Sequence, residues 1–107
     1  MKKFYITTSI PYTNAPPHIG FALEAIQADV LARYHRLLGD DVFYLTGTDE
    51  HGLKIRKAAE KAGKEPREFT DEISEKFREL TKVLNISNDD FIRTTDEKRH
   101  WPTVKKV

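Results

Sequence analysis

Cysteine is absent from these 107 residues. The chain therefore has no disulfide, no thiolate metal site and no cysteine nucleophile, which suits a reducing cytosol. There is no charge excess either. Eighteen basic residues face 17 acidic ones, for a formal net charge of +1, so the broad basic footprint of a nucleic-acid-binding domain is missing and any contact with a polyanion must be local. No apolar run approaches the roughly 20 residues of a membrane span, and the opening "MKKFYITTSIPY" has no signal-peptide core. Internal repeats and low-complexity tracts are lacking. No Gly-x-Gly-x-x-Gly follows the first strand. Gly47 and Gly52 bracket four residues as a P-loop would, but Leu53 stands where that motif needs lysine. The four histidines, His18, His35, His51 and His100, are scattered with no two at helical ligand spacing, so no metal site is expected.

What is present is an alternation of periods. "KFYITTSI" is aromatic and β-branched and reads as a short buried strand ended by Pro11. Leu23, Ile26, Val30, Tyr34 and Leu37 then recur at steps of three and four, which predicts a helix with that face buried. Glu24, Asp29, Arg33 and Arg36 are expected on its solvent face, with Gly39 as the C′ stop. A second strand is expected from Val42 to Leu45 and a second helix from Leu53 to Ala62, ended by Gly63. A third helix opens at Pro66 and turns Phe69, Ile73, Phe77, Leu80 and Leu84 inward. "DDFIRTTD" reads as a third strand, and "EKRHWPTVKKV" begins another helix. This order is the βαβ pattern of a parallel sheet. Three strands are few for such a sheet, so residues 1–107 are expected to be the first half of a larger α/β domain, a Rossmann-like parallel sheet with flanking helices.

Ligands in open α/β sheets sit beyond the carboxyl ends of the strands. Two loops of unusual chemistry, "SIPYTNAPPHIGF" and "TGTDEHG", both follow strand ends and are expected to face one crevice. In the first, His18 stands at a helix start, where free backbone N–H groups attract phosphate. Gly20 lets a ligand approach the backbone closely. His18 is either a hydrogen-bond donor to a phosphoryl oxygen, held in place by Pro16 and Pro17, or only a helix cap. In the second loop, Asp49 could hold a ligand ammonium through a charge-assisted bond or form a local turn. The basic stretch Lys54, Arg56, Lys57 and Lys61 reads as a solvated helix face rather than a nucleic-acid contact.

"ITTSIPYTNAPPHIGF" resembles the first signature of class I aminoacyl-tRNA synthetases, His-x-Gly-His. "FYLTGTDEHG" is similar to the segment that marks the methionyl-tRNA synthetases within that class, and the likeness runs on through "DDFIRTTDEKRHW". The resemblance implies a Rossmann-like fold and an ATP-dependent ligase that makes methionyl-adenylate and passes methionine to tRNA(Met). By that resemblance Ser9, Ile10, Tyr12, Asp49 and His51 would line the methionine pocket, with Asp49 on the ammonium. Asn14, His18, Gly20, Phe21 and Glu24 would surround ATP, and His18 would be the catalytic residue, on the phosphates. Phe21 replaces the signature's second histidine and offers a ring but no donor.

The resemblance also implies ATP with Mg2+, tRNA as partner, a cytoplasmic location, and a zinc ion only in an insertion this sequence does not contain. The second class I signature, Lys-Met-Ser-Lys-Ser, is absent as well, so the 107 residues alone are expected to be inactive. Three other readings stay open: another class I synthetase, a nucleotide-binding module without ligase activity, or an inert folding or packing unit.

Overall fold

The computed structural model describes residues 1–107. The elements run β1 (Lys3–Thr7), α1 (Ile19–Leu37), β2 (Asp41–Thr48), α2 (Leu53–Lys61), α3 (Pro66–Val83), β3 (Asp90–Arg93) and α4 (Trp101–Lys106). The three strands form one parallel sheet in the order β1-β2-β3. Crossovers between parallel strands are right-handed almost without exception. Two of them stepping the same way across a sheet must therefore place their helices on the same face. α1 and α3 do share a face: Phe21 and Ala25 of α1 meet Ile73 and Phe77 of α3 over Phe91 of β3. Ala28 and Ala32 pack on Tyr44, beside Ile6 and Val42. The opposite face is open, with Tyr5 63% and Phe43 45% exposed. β1 thus alternates between covered and bare positions instead of being buried throughout.

α1 lies on the sheet by a different face from the one its periodicity suggests. Leu23, Ile26, Val30, Tyr34 and Leu37 are 41–87% exposed, while Phe21, Ala25, Ala28, Asp29 and Ala32 are buried. Small side chains explain the choice. An alanine stripe lets the helix backbone come close enough for the Tyr44 hydroxyl to donate to the Ala25 carbonyl at 2.9 Å. Burial, with the nearby carboxylates of Asp29 and Glu24, pushes the Tyr44 phenol up to about 12.

Asp29, expected in solvent, points inward. It accepts from Arg33 Nε at 2.8 Å, from the Ser87 amide at 2.8 Å and from the Ser87 hydroxyl. Arg36 reaches Ser87 O at 3.0 Å and Asp89 at 3.1 Å. The polar side of α1 therefore clasps the α3–β3 turn. Asn85 begins that turn in the left-handed region, at φ 53°, just past the α3 C-cap at Leu84, where such a conformation commonly ends a helix.

β2 is twice as long as the apolar run implied, because Thr46, Gly47 and Thr48 continue it and pair with Phe91, Ile92 and Arg93. β-Branched threonine suits a strand. Gly47 is required by contact: an added Cβ would lie 2.0 Å from the Ile92 carbonyl oxygen. Above Tyr44 the interior becomes hydroxyl-lined. Thr8 bonds Thr46 at 2.7 Å, Thr48 bonds Ser74 at 3.1 Å, and Thr13 faces Thr70 at 3.4 Å. Every buried side-chain polar atom finds a partner. This satisfied polar layer supports the loops at the carboxyl ends of the strands.

Candidate active site

Those two loops are joined by backbone. Tyr12 and Asp49 form an isolated parallel bridge: the Asp49 amide donates to Pro11 O at 2.9 Å, and the Thr13 amide donates to Asp49 O at 3.2 Å. Beyond the bridge β1 and β2 part, and each loop carries its chemistry to the rim. The Tyr12 ring is half exposed. Together with His51, Gly52, Leu53 and Lys54 it lines a recess of about 360 Å³. A second recess, about 250 Å³, shares the His51–Gly52 wall and is lined also by Arg56, Arg67, Thr70 and Thr95.

The loop after β1 is tied to α1 at both ends. Ser9 donates its amide to Glu24 Oε1 at 2.5 Å and its hydroxyl to Glu24 Oε2 at 2.8 Å, so Glu24 holds the loop to the helix. At the helix start, His18 Nδ1 accepts from the Gly20 amide at 2.9 Å as the N-cap. An N–H donor requires a bare Nδ1, which places the ring proton on Nε2, the exposed nitrogen. The two readings of His18 are thus compatible: one nitrogen caps, and the other stays free to donate. Gly20 has a role beyond ligand approach. A Cβ there would lie 2.7 Å from His18 Cε1 and 2.9 Å from Nδ1, so the absent side chain is what seats the ring. Asn14 is exposed on the same loop, and Ile10 is 37% exposed.

Phe21 departs from its expected place beside ATP. Its ring is 5% exposed and meets Phe77 edge-on, with centroids 5.0 Å apart. Burying a large apolar ring in the core satisfies it better than a rim contact would.

In the second loop, successive carboxylates point opposite ways, as extended backbone dictates. Asp49 is half-buried at the rim, and its nearest donor is the Thr94 hydroxyl at 3.5 Å. Glu50 turns inward, its side chain fully covered. It accepts from Thr48 Oγ1 at 2.6 Å, Arg93 Nε at 2.7 Å and Thr95 Oγ1 at 2.5 Å, while its amide donates to Thr94 Oγ1 at 2.8 Å. Arg93 continues to Asp71 at 2.5 Å. Burial by itself would raise the Glu50 carboxyl. The Arg93 and threonine hydrogen bonds and the Arg93 charge outweigh it and hold the group below its ordinary 4.5. Burial would lower Arg93, but its hydrogen bonds to Glu50 and Asp71 and their charges outweigh that and raise it. His51 Nε2 lies 3.3 Å from the Thr94 carbonyl and Trp101 Nε1 donates to that oxygen at 2.9 Å. A carbonyl only accepts, so His51 carries its proton on Nε2.

Glu50, Arg93, Thr94 and Trp101 did not stand out in the sequence. Alternation was the available signal: if Asp49 faces out, Glu50 faces in, and a buried carboxylate needs a cation, which Arg93 alone supplies on β3. The linkage has a definite sign. A depressed carboxyl stabilises the fold above its unfolded value, and that contribution fades as pH falls from about 4.5 through the folded value. Glu50→Gln is expected to lower stability near neutrality by about 3 kcal/mol, the low end for breaking a buried pair, because Arg93 keeps Asp71. It is also expected to flatten the decline as pH falls below about 4.5, with denaturant unfolding across pH as the check. An undiminished acid slope in the variant would place the sensitivity elsewhere.

A family model described as tRNA synthetases class I (M) matches residues 4–107. The chain belongs to that family. Among relatives of this class I synthetase segment, the methionine–tRNA ligase of Thermotoga maritima is 61% identical over 104 residues, covering 97% of the chain and 16% of the relative. That of Rickettsia felis is 59% identical over 101 residues, covering 94% and 20%. A solved Mycobacterium tuberculosis methionyl-tRNA synthetase in complex with methionyl-adenylate shares the fold at a TM-score of 0.88 and 51% identity, over 90% of the chain and 19% of that protein. The segment thus spans a fifth or less of the length of these relatives. None of its helices is long and apolar enough to cross a membrane.

Proposed function

We propose that this chain is the amino-terminal part of the catalytic domain of a methionine–tRNA ligase, in which ATP and methionine condense to methionyl-adenylate before transfer to tRNA(Met) in the cytoplasm. The observation that carries the reading is the backbone bridge between Tyr12 and Asp49. It sets a rim carboxylate on one loop beside the loop that leads to the His18 N-cap, so an amino acid and a nucleotide can meet between them.

In this reading the Asp49 carboxylate receives the methionine ammonium, and Tyr12 and His51 flank the side chain at the 360 Å³ recess. Ser9 and Ile10 form the strand-end wall. The ATP phosphates lie toward the start of α1, where unpaired amides and the His18 Nε2–H offer donors. Asn14 adds a polar contact. Gly20 and Glu24 act by holding His18 and Ser9 in place, and Phe21 anchors the helix from beneath. The reaction forms a bond between the methionine carboxylate oxygen and the α-phosphorus of ATP and breaks the bond to pyrophosphate. The residues of this chain orient both partners and offset charge that moves onto the leaving group.

Mg2+ would accompany ATP on its phosphates, since no three His, Asp or Glu side chains of the chain gather to hold a metal. Zinc would belong to the insertion of the longer enzyme. Methionine-dependent ATP–pyrophosphate exchange by the full-length enzyme tests the reading. Exchange driven by a branched aliphatic amino acid instead, or by none, would overturn it.

A further inference from the structure

We infer that Thr94 is a positioning residue for methionine recognition: it aims Asp49 from a neighbouring strand end. The inference rests on the proposed role of Asp49. Thr94 follows β3 and is 8% exposed, and its amide continues the ladder by donating to Thr48 O at 3.2 Å. Its side chain and carbonyl serve three successive residues of the loop above. The hydroxyl oxygen accepts the Glu50 amide at 2.8 Å. With that lone pair engaged, the hydroxyl proton is directed away from the amide, and the acceptor within reach is Asp49 Oδ1, at 3.5 Å. The carbonyl accepts His51 Nε2 and Trp101 Nε1. Asp49, Glu50 and His51 thus converge on one residue 43 or more positions later in the chain.

The long hydroxyl contact fits positioning rather than permanent pairing. A carboxylate locked at 2.7 Å would have to give up a strong bond to meet an ammonium. At 3.5 Å, longer than an ordinary O–H···O bond, the hydroxyl faces one carboxylate oxygen without holding it, and both oxygens stay free to meet a cation.

The test is a double-mutant cycle in the full-length enzyme. Thr94→Val keeps the shape and removes the hydroxyl. It is expected to raise the methionine KM about three- to tenfold and to move the ATP KM less than about twofold. Thr94→Ser should restore the methionine KM. In an Asp49→Asn background, Thr94→Val should add nothing further, because both changes act through one carboxylate. Additive effects, equal losses for both substrates, or failure of serine to rescue would mean that Thr94 only supports the fold, and would overturn the inference. If Asp49→Asn alone leaves the methionine KM unchanged, the reading of Asp49 falls first and this one with it. Should Thr94→Val fail to fold, Thr94→Ala, which leaves room for a water on the Glu50 amide, takes its place in the cycle.

Discussion

Asp49→Ala in the full-length enzyme is expected to weaken methionine binding by about 1.5–3 kcal/mol, roughly ten- to 150-fold, while ATP binding stays within about threefold. The asymmetry follows from geometry. Asp49 stands at the rim with one weak internal contact, so its carboxylate is available to a cation and little of the fold depends on it. Glu50 is the contrast: its four bonds make it part of the scaffold, and its removal should harm both substrates through stability. Isothermal titration with each substrate separates these outcomes. Equal loss of methionine and ATP affinity after Asp49→Ala would mean that Asp49, like Glu50, is scaffold.

His18→Ala carries the second large effect. The amides at the start of α1 attract phosphate whether or not the ring is present, so ground-state affinity should depend only partly on it. In the proposed reaction the Nε2–H would gain importance as charge moves onto the leaving pyrophosphate. Loss of one such donor typically slows a reaction about 10²–10³-fold. The adenylation rate in single turnover is expected to fall by that factor, with ATP affinity held within about tenfold. Loss of the N-cap adds roughly 1 kcal/mol of destabilisation, which thermal unfolding measures separately. An unchanged rate with collapsed ATP binding would make His18 a ground-state ligand and refute the transition-state role.

Much of the fold was legible because its punctuation is local. Gly39, Gly63 and Pro66 mark helix ends by backbone conformation alone, and their positions in the structure agree with that reading. The convergence of the two loops was legible from the rule for parallel sheets. The buried face of α1 was not. Periodicity reports where large apolar residues cluster, and on α1 they cluster on the side away from this sheet; the sheet takes the alanines. Glu50 was hidden for a similar reason. A carboxylate in a Thr-Asp-Glu-His-Gly run looks exposed until its partners are known, and Arg93, Thr94 and Thr95 lie some 43–45 residues away. Phe21 was placed by analogy with a polar signature residue, whereas its own chemistry suits the core that Phe77 and Ile73 offer.

The seat of the His18 ring has a consequence for how this segment can change over generations. Positions 18 and 20 share one small volume, with the ring where a Cβ of residue 20 would be. A single methyl gained at Gly20 would press on the imidazole, swing it off the helix start and take the donor with it. A smaller residue at 18 would in turn leave position 20 free to vary. The two sites therefore behave as one heritable character. A lineage that keeps the histidine seated on the helix start is held to glycine two residues later, and drift at Gly20 unseats the ring before it disturbs the fold.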